Sequence, residues 1–291
     1  MGNPLTFPDS KARYYQGLGL AFGAGLLWSL GGMLIKLVDW NPLAIAGMRS
    51  AIAFFVLLAV PRRPKLTWSG AQVGGALAYA ATVILFVAAN KLTTAANAIL
   101  LQYTAPIYTA ILGARFLGER VTRGDWATIV IVISGVMMFF VDRLTFGGLA
   151  GNLLALISGL TFAVLAVFLR KQKDESALES VLMGNLITAL IGLPFMFQGS
   201  PGGQSWLGLV LLGVFQLGLS YLLYTEALKR ISALEGTLIT SIEPILNPVW
   251  VFLALGEKPG PWALIGGAMV LVAVTGRSLL KTSSPVSKRS N

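Results

Sequence analysis

Long apolar runs, most about 20 residues long, alternate with short polar connections from residue 16 almost to the end of the chain. That length matches the ~20 helical residues needed to cross a ~30 Å hydrocarbon layer, where a helix satisfies its own backbone hydrogen bonds. The pattern predicts ten spans, at 16–37, 42–60, 70–89, 94–116, 124–141, 148–169, 177–197, 204–225, 233–255 and 261–280. Residues 1–15 and 281–291 read as short tails rich in Pro, Ser and charge, and no connection is long enough to form a soluble domain. The expected fold class is an all-α, multi-pass integral membrane protein with its function inside the bundle and the lipid bilayer as its surroundings.

Composition agrees. Of 291 residues, 55% are hydrophobic and 12% charged, more oil than a soluble core uses. The net charge of +10 raises the possibility of nucleic acid, but the placement of that charge argues otherwise. With the amino terminus in the cytoplasm, 17 of the 22 Lys and Arg residues fall on the inner side, and Lys36, Lys91, Arg143 and Lys258 on the outer. Arg49 lies within a span. This is the positive-inside pattern with both termini cytoplasmic, and no nucleic-acid partner is expected. The absence of Cys and His excludes disulfides, thiolate or imidazole metal sites and the corresponding nucleophiles and bases. No P-loop occurs, "GARFLGER" from Gly113 being the nearest run. Neither a metal nor a cofactor is expected, nor is enzyme chemistry. The start "MGNPLT" meets the short myristoylation pattern but reads as incidental, since an acyl chain adds little to ten spans. No cleavable leader is expected, because the first apolar run has full span length.

The chain also repeats itself. A shift of 138 residues places "AANKLTTAANAILLQYTAPIYTAILGARFLGE" (88–119) on "EALKRISALEGTLITSIEPILNPVWVFLALGE" (226–257), matching Lys91 with Lys229, Pro106 with Pro244 and the closing Leu-Gly-Glu of both. A shift of 134 pairs Gly17 with Gly151, Ala21 with Ala155, Gly25 with Gly159 and Lys36 with Arg170. Two units follow, 16–143 and 144–280. Five spans in each is an odd number, so the second unit runs inverted through the membrane, the construction of many secondary transporters.

A Trp and then a basic residue in the first span ("LLWSLGGMLIK"), an Arg early in the second ("AIAGMRSAIA") and a central Pro in spans 4 and 9 closing in "FLGE" or "ALGE" resemble the drug/metabolite transporter (DMT) superfamily, ten-helix EamA type. The likeness covers Gly17 to Leu280. Within that superfamily the chain is most similar to the YddG-like amino-acid exporter group. The resemblance implies an exporter of amino acids or related small metabolites in the bacterial inner membrane.

Glu243 stands near the middle of "LITSIEPILNPVWVFLAL". A carboxylate at that depth costs about 2.5–3.5 kcal/mol to insert and so faces the bundle interior or a water-filled path. Helical steps from it reach Gly236, Thr240, Asn247 and Trp250, a polar and aromatic stripe. Pro244 and Pro248 leave the carbonyls of Thr240 and Pro244 without their helical donors, and Pro106 does the same in span 4, beside Gln102, Tyr103 and Thr104. Spans 4 and 9 are therefore expected at the centre, beside a solute chamber. The resemblance implies the same arrangement, with further walls from spans 1, 3, 6 and 8, which offer Trp28 and Ser29, Tyr79 and Thr82, Ser158 and Phe162, and Gln216, Ser220, Tyr221 and Tyr224.

The predicted solute contacts are Trp28, Tyr79, Gln102, Tyr103, Phe162, Gln216, Tyr221, Glu243 and Asn247, with Pro106, Pro244 and Pro248 as bends. Rings with a few polar tips suit a small amphipathic solute such as an amino acid; a proton at Glu243 is a second candidate passenger, and a structural hydrogen bond to nearby backbone is the competing use of that carboxylate. Simpler uses are assigned elsewhere. Trp40, Trp68, Trp126, Trp206 and Trp262 sit at span ends as interface anchors, and Gly19 with Gly23 and Gly147 with Gly151 as helix-packing pairs. Arg49 reads as a partner for backbone carbonyls or an outer acid, and Glu119 and Glu257 as loop-locking ion pairs.

The function expected is a secondary transporter working by alternating access and exporting amino acids, aromatic or other neutral ones among them. Drug-like cations, nucleosides or sugar metabolites fit the same chamber. A passive channel fits less well, because it needs a ring of like residues along a pore.

Overall fold

The structure is a computed structural model that describes residues 7–60, 64–141, 147–175, 177–246, 250 and 261–283. Among these residues the regular secondary structure is all helical. The helices are α1 (Phe7–Trp28), α2 (Gly31–Leu37), α3 (Pro42–Leu58), α4 (Gly70–Leu92), α5 (Ala95–Gln102), α6 (Ala105–Leu117), α7 (Arg123–Phe140), α8 (Leu149–Lys171), α9 (Ala177–Met196), α10 (Gly203–Leu211), α11 (Ser220–Leu228), α12 (Ala233–Ile239) and α13 (Pro261–Ser283). A π-helical segment, Leu212–Leu219, joins α10 to α11, and a 3₁₀ turn, Thr240–Ile242, follows α12.

Five helical stretches are long and apolar enough to cross a bilayer: Lys11–Leu37, Gly70–Leu92, Leu149–Lys171, Ala177–Met196 and Gly203–Leu228. Pro42–Leu58 and Leu264–Leu280 are shorter apolar helices. The predicted fourth and ninth spans are interrupted where Pro106 and Pro244 remove backbone donors. Asn247, Pro248, Glu257 and Lys258 lie outside the described residues. Large apolar side chains such as Phe55, Val130, Leu190 and Val272 are exposed on the outer surface, the inverse of a soluble protein and suited to lipid.

The packing follows the sequence repeat. Helix α4 lies along α8, and its counterpart α11 lies along α1; α4 also meets α9, and the π segment meets α3. The α5–α6 pair packs on α8 as α12 and the 3₁₀ turn pack on α1. Two pairs map onto themselves, α3 with α9 and α7 with α13, and α6 also meets α12. Side chains repeat the relation. Lys36 Nζ donates to the Thr93 carbonyl (3.0 Å) at the end of α4, and its counterpart Arg170 donates to the Leu228 carbonyl at the end of α11.

Some details differ from expectation. Helix α1 begins at Phe7, so the second half of the expected amino-terminal tail is helical; Tyr14 Oη donates to Glu235 Oε1 (2.8 Å), tying it to α12. Gly23 and Gly151 are close-packed, a Cβ there meeting Leu223 at 3.3 Å and Leu92 at 2.8 Å, but Gly19 and Gly147 face open space. The buried stripe of α1 runs through Gly17, Ala21, Ala24 and Trp28 instead, which turns Gly19 away. The terminal tryptophans Trp68, Trp126, Trp206 and Trp262 are exposed, and Trp40 Nε1 donates to the Gly199 carbonyl (3.1 Å).

Candidate functional site

Where the broken helices meet, a central cavity opens. Its floor is the α5–α6 break, supplying Gln102, Tyr103, Ala105 and Pro106, and the segment after α12, supplying Thr240 and Glu243. An interruption at Tyr103–Thr104 arises because Pro106 has no N–H for the Gln102 carbonyl, while the helix restarts with the Ile107 N–H donating to the Thr104 carbonyl (3.0 Å). The missing donor is accommodated by Gly159 of α8: a Cβ there would stand 2.7 Å from the Gln102 oxygen, so only glycine lets α8 close on the break.

The second break resolves its missing donor in a way that shapes the site. Pro244 cannot serve the Thr240 carbonyl, and Tyr103 Oη reaches it instead at 2.8 Å. The same hydroxyl lies 2.8 Å from Glu243 Oε2. One hydroxyl hydrogen serves one acceptor. An ionised Glu243 takes it and leaves the Thr240 carbonyl with the Glu243 N–H alone; a protonated Glu243 donates to Tyr103 Oη and frees Tyr103 to donate to Thr240. Proton occupancy at Glu243 thus selects between two hydrogen-bond patterns that couple spans 4 and 9. Glu243 is buried, 7% exposed, and Tyr103 is the hydrogen-bond partner of its carboxyl group among the described residues.

One wall is aromatic. Trp28 stands 5.5 Å from Phe162, 5.1 Å from Tyr221 and 5.0 Å from Tyr224, centroid to centroid. Trp28, Phe162 and Tyr221 line the cavity. Tyr79 does not. It packs edge-on behind Tyr221 at 4.7 Å, and its hydroxyl donates to Asn185 Oδ1 (3.0 Å); a Cβ on Gly184 would strike its ring at 2.6 Å. Tyr79 is therefore the second layer that fixes Tyr221. Gln102 Nε2 donates to Ser158 Oγ (2.9 Å), which donates to the Thr82 carbonyl (3.2 Å), linking three helices along the rim. Trp250 Nε1 donates to Ser29 Oγ (2.7 Å), bringing the far end of the Glu243 stripe onto span 1.

The lining also holds a cation expected in a structural role. Arg49 is 1% exposed and lines the cavity. Its NH1 group donates to Gln216 Oε1 (3.0 Å) and NH2 to the Val83 carbonyl (3.3 Å). The expected backbone partner is present; an acidic one is not among the described ion pairs. Gln216 reaches Arg49 from the π segment, whose wide turn is the kind of helix defect that recurs at functional sites, and Gly31 makes room for its amide, a Cβ there falling 3.0 Å from Nε2. Thr82, Val83, Phe86, Leu217 and Thr237 complete the lining. Val83, Phe86 and Leu217 were invisible as site residues because their side chains look like any lipid-facing ones.

Away from the cavity lining, Glu119 fastens the two halves of the chain together. Gly118 ends α6 in the left-handed conformation (φ 65°), with the Glu119 N–H donating to the Gly113 carbonyl (3.2 Å). That turn aims the carboxylate across the bundle, where it takes Arg170 Nε at 3.3 Å and the Ala233 N–H at 3.2 Å. The ion pair foreseen for Glu119 therefore forms with the other half of the chain and not with neighbouring Arg115 or Arg120.

Comparisons with known proteins agree with this architecture. The EamA-like transporter family model matches residues 15–141 and again 149–278. The chain is 26% identical over 249 residues to an uncharacterized transporter of Archaeoglobus fulgidus, covering 83% of this chain and 88% of the relative. It is 29% identical over 187 residues to a probable terminal-alkyne amino-acid exporter of Streptantibioticus cattleyicolor, covering 62% and 63%. To the pseudopaline exporter CntI of Pseudomonas aeruginosa it is 25% identical over 190 residues, covering 64% and 66%. A crystal structure at 22% identity shares the fold, with a TM-score of 0.76 over 92% of this chain and 99% of the other. With the family matched in both halves, the chain belongs to the EamA-like transporter family and is a multi-pass membrane transporter, not an enzyme.

Proposed function

We propose that the protein is a secondary transporter that exports amino acids and related small metabolites across the bacterial inner membrane by alternating access to the central cavity. The reading takes ten spans in two inverted five-helix units, 16–143 and 144–280, with both termini cytoplasmic, and places the chain near the YddG-like amino-acid exporters. The observation that carries it is the cavity itself: a buried carboxylate held by one tyrosine, an aromatic wall and amide groups suit an ammonium-bearing amphipathic solute. Exporters of a terminal-alkyne amino acid and of pseudopaline among the relatives support the substrate class. The image-related packing of the two halves supports the inverted repeat.

In the proposed cycle, loss of the Glu119 clasp opens one end while the other closes. Asn247 and Pro248, which follow Glu243, belong to the solute path and its bend in this reading. The Tyr103–Glu243 pair offers a place to exchange an ammonium for a proton. Uptake into proteoliposomes tests the proposal, using radiolabelled amino acids, nucleosides, sugars and a lipophilic cation, each with and without a pH gradient. Saturable amino-acid uptake is expected. Uptake confined to the cation, the nucleosides or the sugars overturns the substrate class, and non-saturable flux of all of them indicates a channel.

A further inference from the structure

Burying a guanidinium is costly unless its charge and its donors are met. Among the described residues the charge of Arg49 is unmatched and its donors are met only in part. Its two recorded acceptors, Gln216 Oε1 and the Val83 carbonyl, are neutral, and no ion pair among the described residues includes it. Of five N–H donors, Nε is fully buried with no hydrogen-bond partner among the described residues. Yet the side chain lines the cavity. Arginine keeps its proton in proteins, so this wall carries a fixed positive charge with free donors.

We propose that Arg49 is the anion subsite of the cavity, receiving the carboxylate of the transported solute while Glu243, on the same cavity, receives its ammonium. The inference rests on the transporter reading above and narrows it to solutes that bear both groups. Three features support it. First, NH1 and NH2 are each tethered, to the π segment and to α4, so the guanidinium plane is fixed before a ligand arrives and little side-chain freedom is lost on binding. Second, the unpartnered Nε belongs to the edge of the guanidinium that accepts a carboxylate in a two-pronged fashion. Third, Arg49 and Glu243 do not pair with each other, so each keeps its charge for a third party. The aromatic wall of Trp28, Phe162 and Tyr221 lies on the same cavity and would cover the solute's carbon side chain.

The test is calorimetric titration of the purified full chain with phenylalanine, phenylalaninamide, leucine and 3-phenylpropionate, for the native protein and for Arg49→Gln and Arg49→Lys. The amide keeps the ammonium and the ring but has no carboxylate. A charge-assisted contact predicts that the native protein binds phenylalanine about 10- to 100-fold more tightly than its amide. In Arg49→Gln the acid falls to within about threefold of the amide, whose own affinity stays put. Arg49→Lys keeps the charge without the fork and lies between; it also serves if the glutamine variant does not fold. An arginine that only braces the bundle would weaken acid and amide together, and that result overturns the proposal. So does unchanged affinity for both ligands in Arg49→Lys, or a native protein indifferent to the carboxylate; in those cases amino-acid transport survives. Arg49-dependent binding of 3-phenylpropionate without binding of phenylalanine or leucine keeps the anion subsite and removes the amino-acid reading. Binding of none of the four removes both.

Discussion

Replacing Glu119 by alanine removes two contacts that tie α6 to the other half of the chain, and that the proposed cycle breaks when one end opens: the ion pair with Arg170 Nε (3.3 Å) and the acceptor for the Ala233 N–H (3.2 Å) at the start of α12. The paired side chains are 17% and 20% exposed, so solvent screening limits the ion pair to ~0.5–1 kcal/mol. The N–H at a helix start donating to a charged oxygen adds about 1.5 kcal/mol. A loss near 2 kcal/mol changes the balance of open and closed forms roughly 30-fold. Glu119→Gln keeps a neutral acceptor, loses about 1 kcal/mol and shifts that balance about fivefold. Because the chain has no cysteine, Thr237→Cys gives a single reporter on the cavity wall, one turn into α12 from Ala233. Labelling rates with a membrane-impermeant thiol reagent, applied to vesicles of each orientation, read the open fraction at either end. The alanine variant is expected to label about 30 times faster from the Glu119 end, the glutamine variant about fivefold faster. Equal labelling rates in the Glu119→Ala variant and the protein that keeps Glu119 would refute the clasp.

Other changes probe the floor of the site. Glu243→Gln should abolish the pH-gradient-driven part of amino-acid uptake in proteoliposomes and lower the remainder at least about tenfold; full, gradient-sensitive uptake by this variant rules Glu243 out as the proton site. Tyr103→Phe removes the hydroxyl shared by Thr240 and Glu243 and should cut uptake about 10-fold or more with the fold intact by gel filtration. Gly159→Ala puts a methyl group 2.7 Å from the Gln102 carbonyl and should cost about 1–3 kcal/mol, read as a lower Tm in detergent.

How much of this was legible in the sequence depended on whether the signal was local. Apolar runs locate helices because lipid imposes one length and one composition on all of them. Glu243 and its proline were legible because a charge and a missing donor are conspicuous among apolar neighbours, and Trp28, Gln102, Tyr103, Phe162, Gln216 and Tyr221 followed as cavity residues. Tyr79 was not separable from Tyr221, since depth along a span says nothing about which layer a ring occupies. Arg49 reads in sequence as a brace, because its acceptors lie 34 and 167 residues away. Glu119 looks served by the arginines beside it; the left-handed turn at Gly118 sends it to the other half of the chain. The π segment has no mark in the sequence at all.

Duplication of a scaffold tends to give a central ligand the same surroundings whichever way round it lies. Here the register that aligns the halves sets Ala105 opposite Glu243, and both line the cavity. One methyl group against one carboxylate makes the two related positions of the chamber unequal. A solute with distinct head and tail then has a preferred heading in the cavity. A solute with identical ends has no heading to keep, and would gain nothing from the asymmetry that this pair of positions preserves.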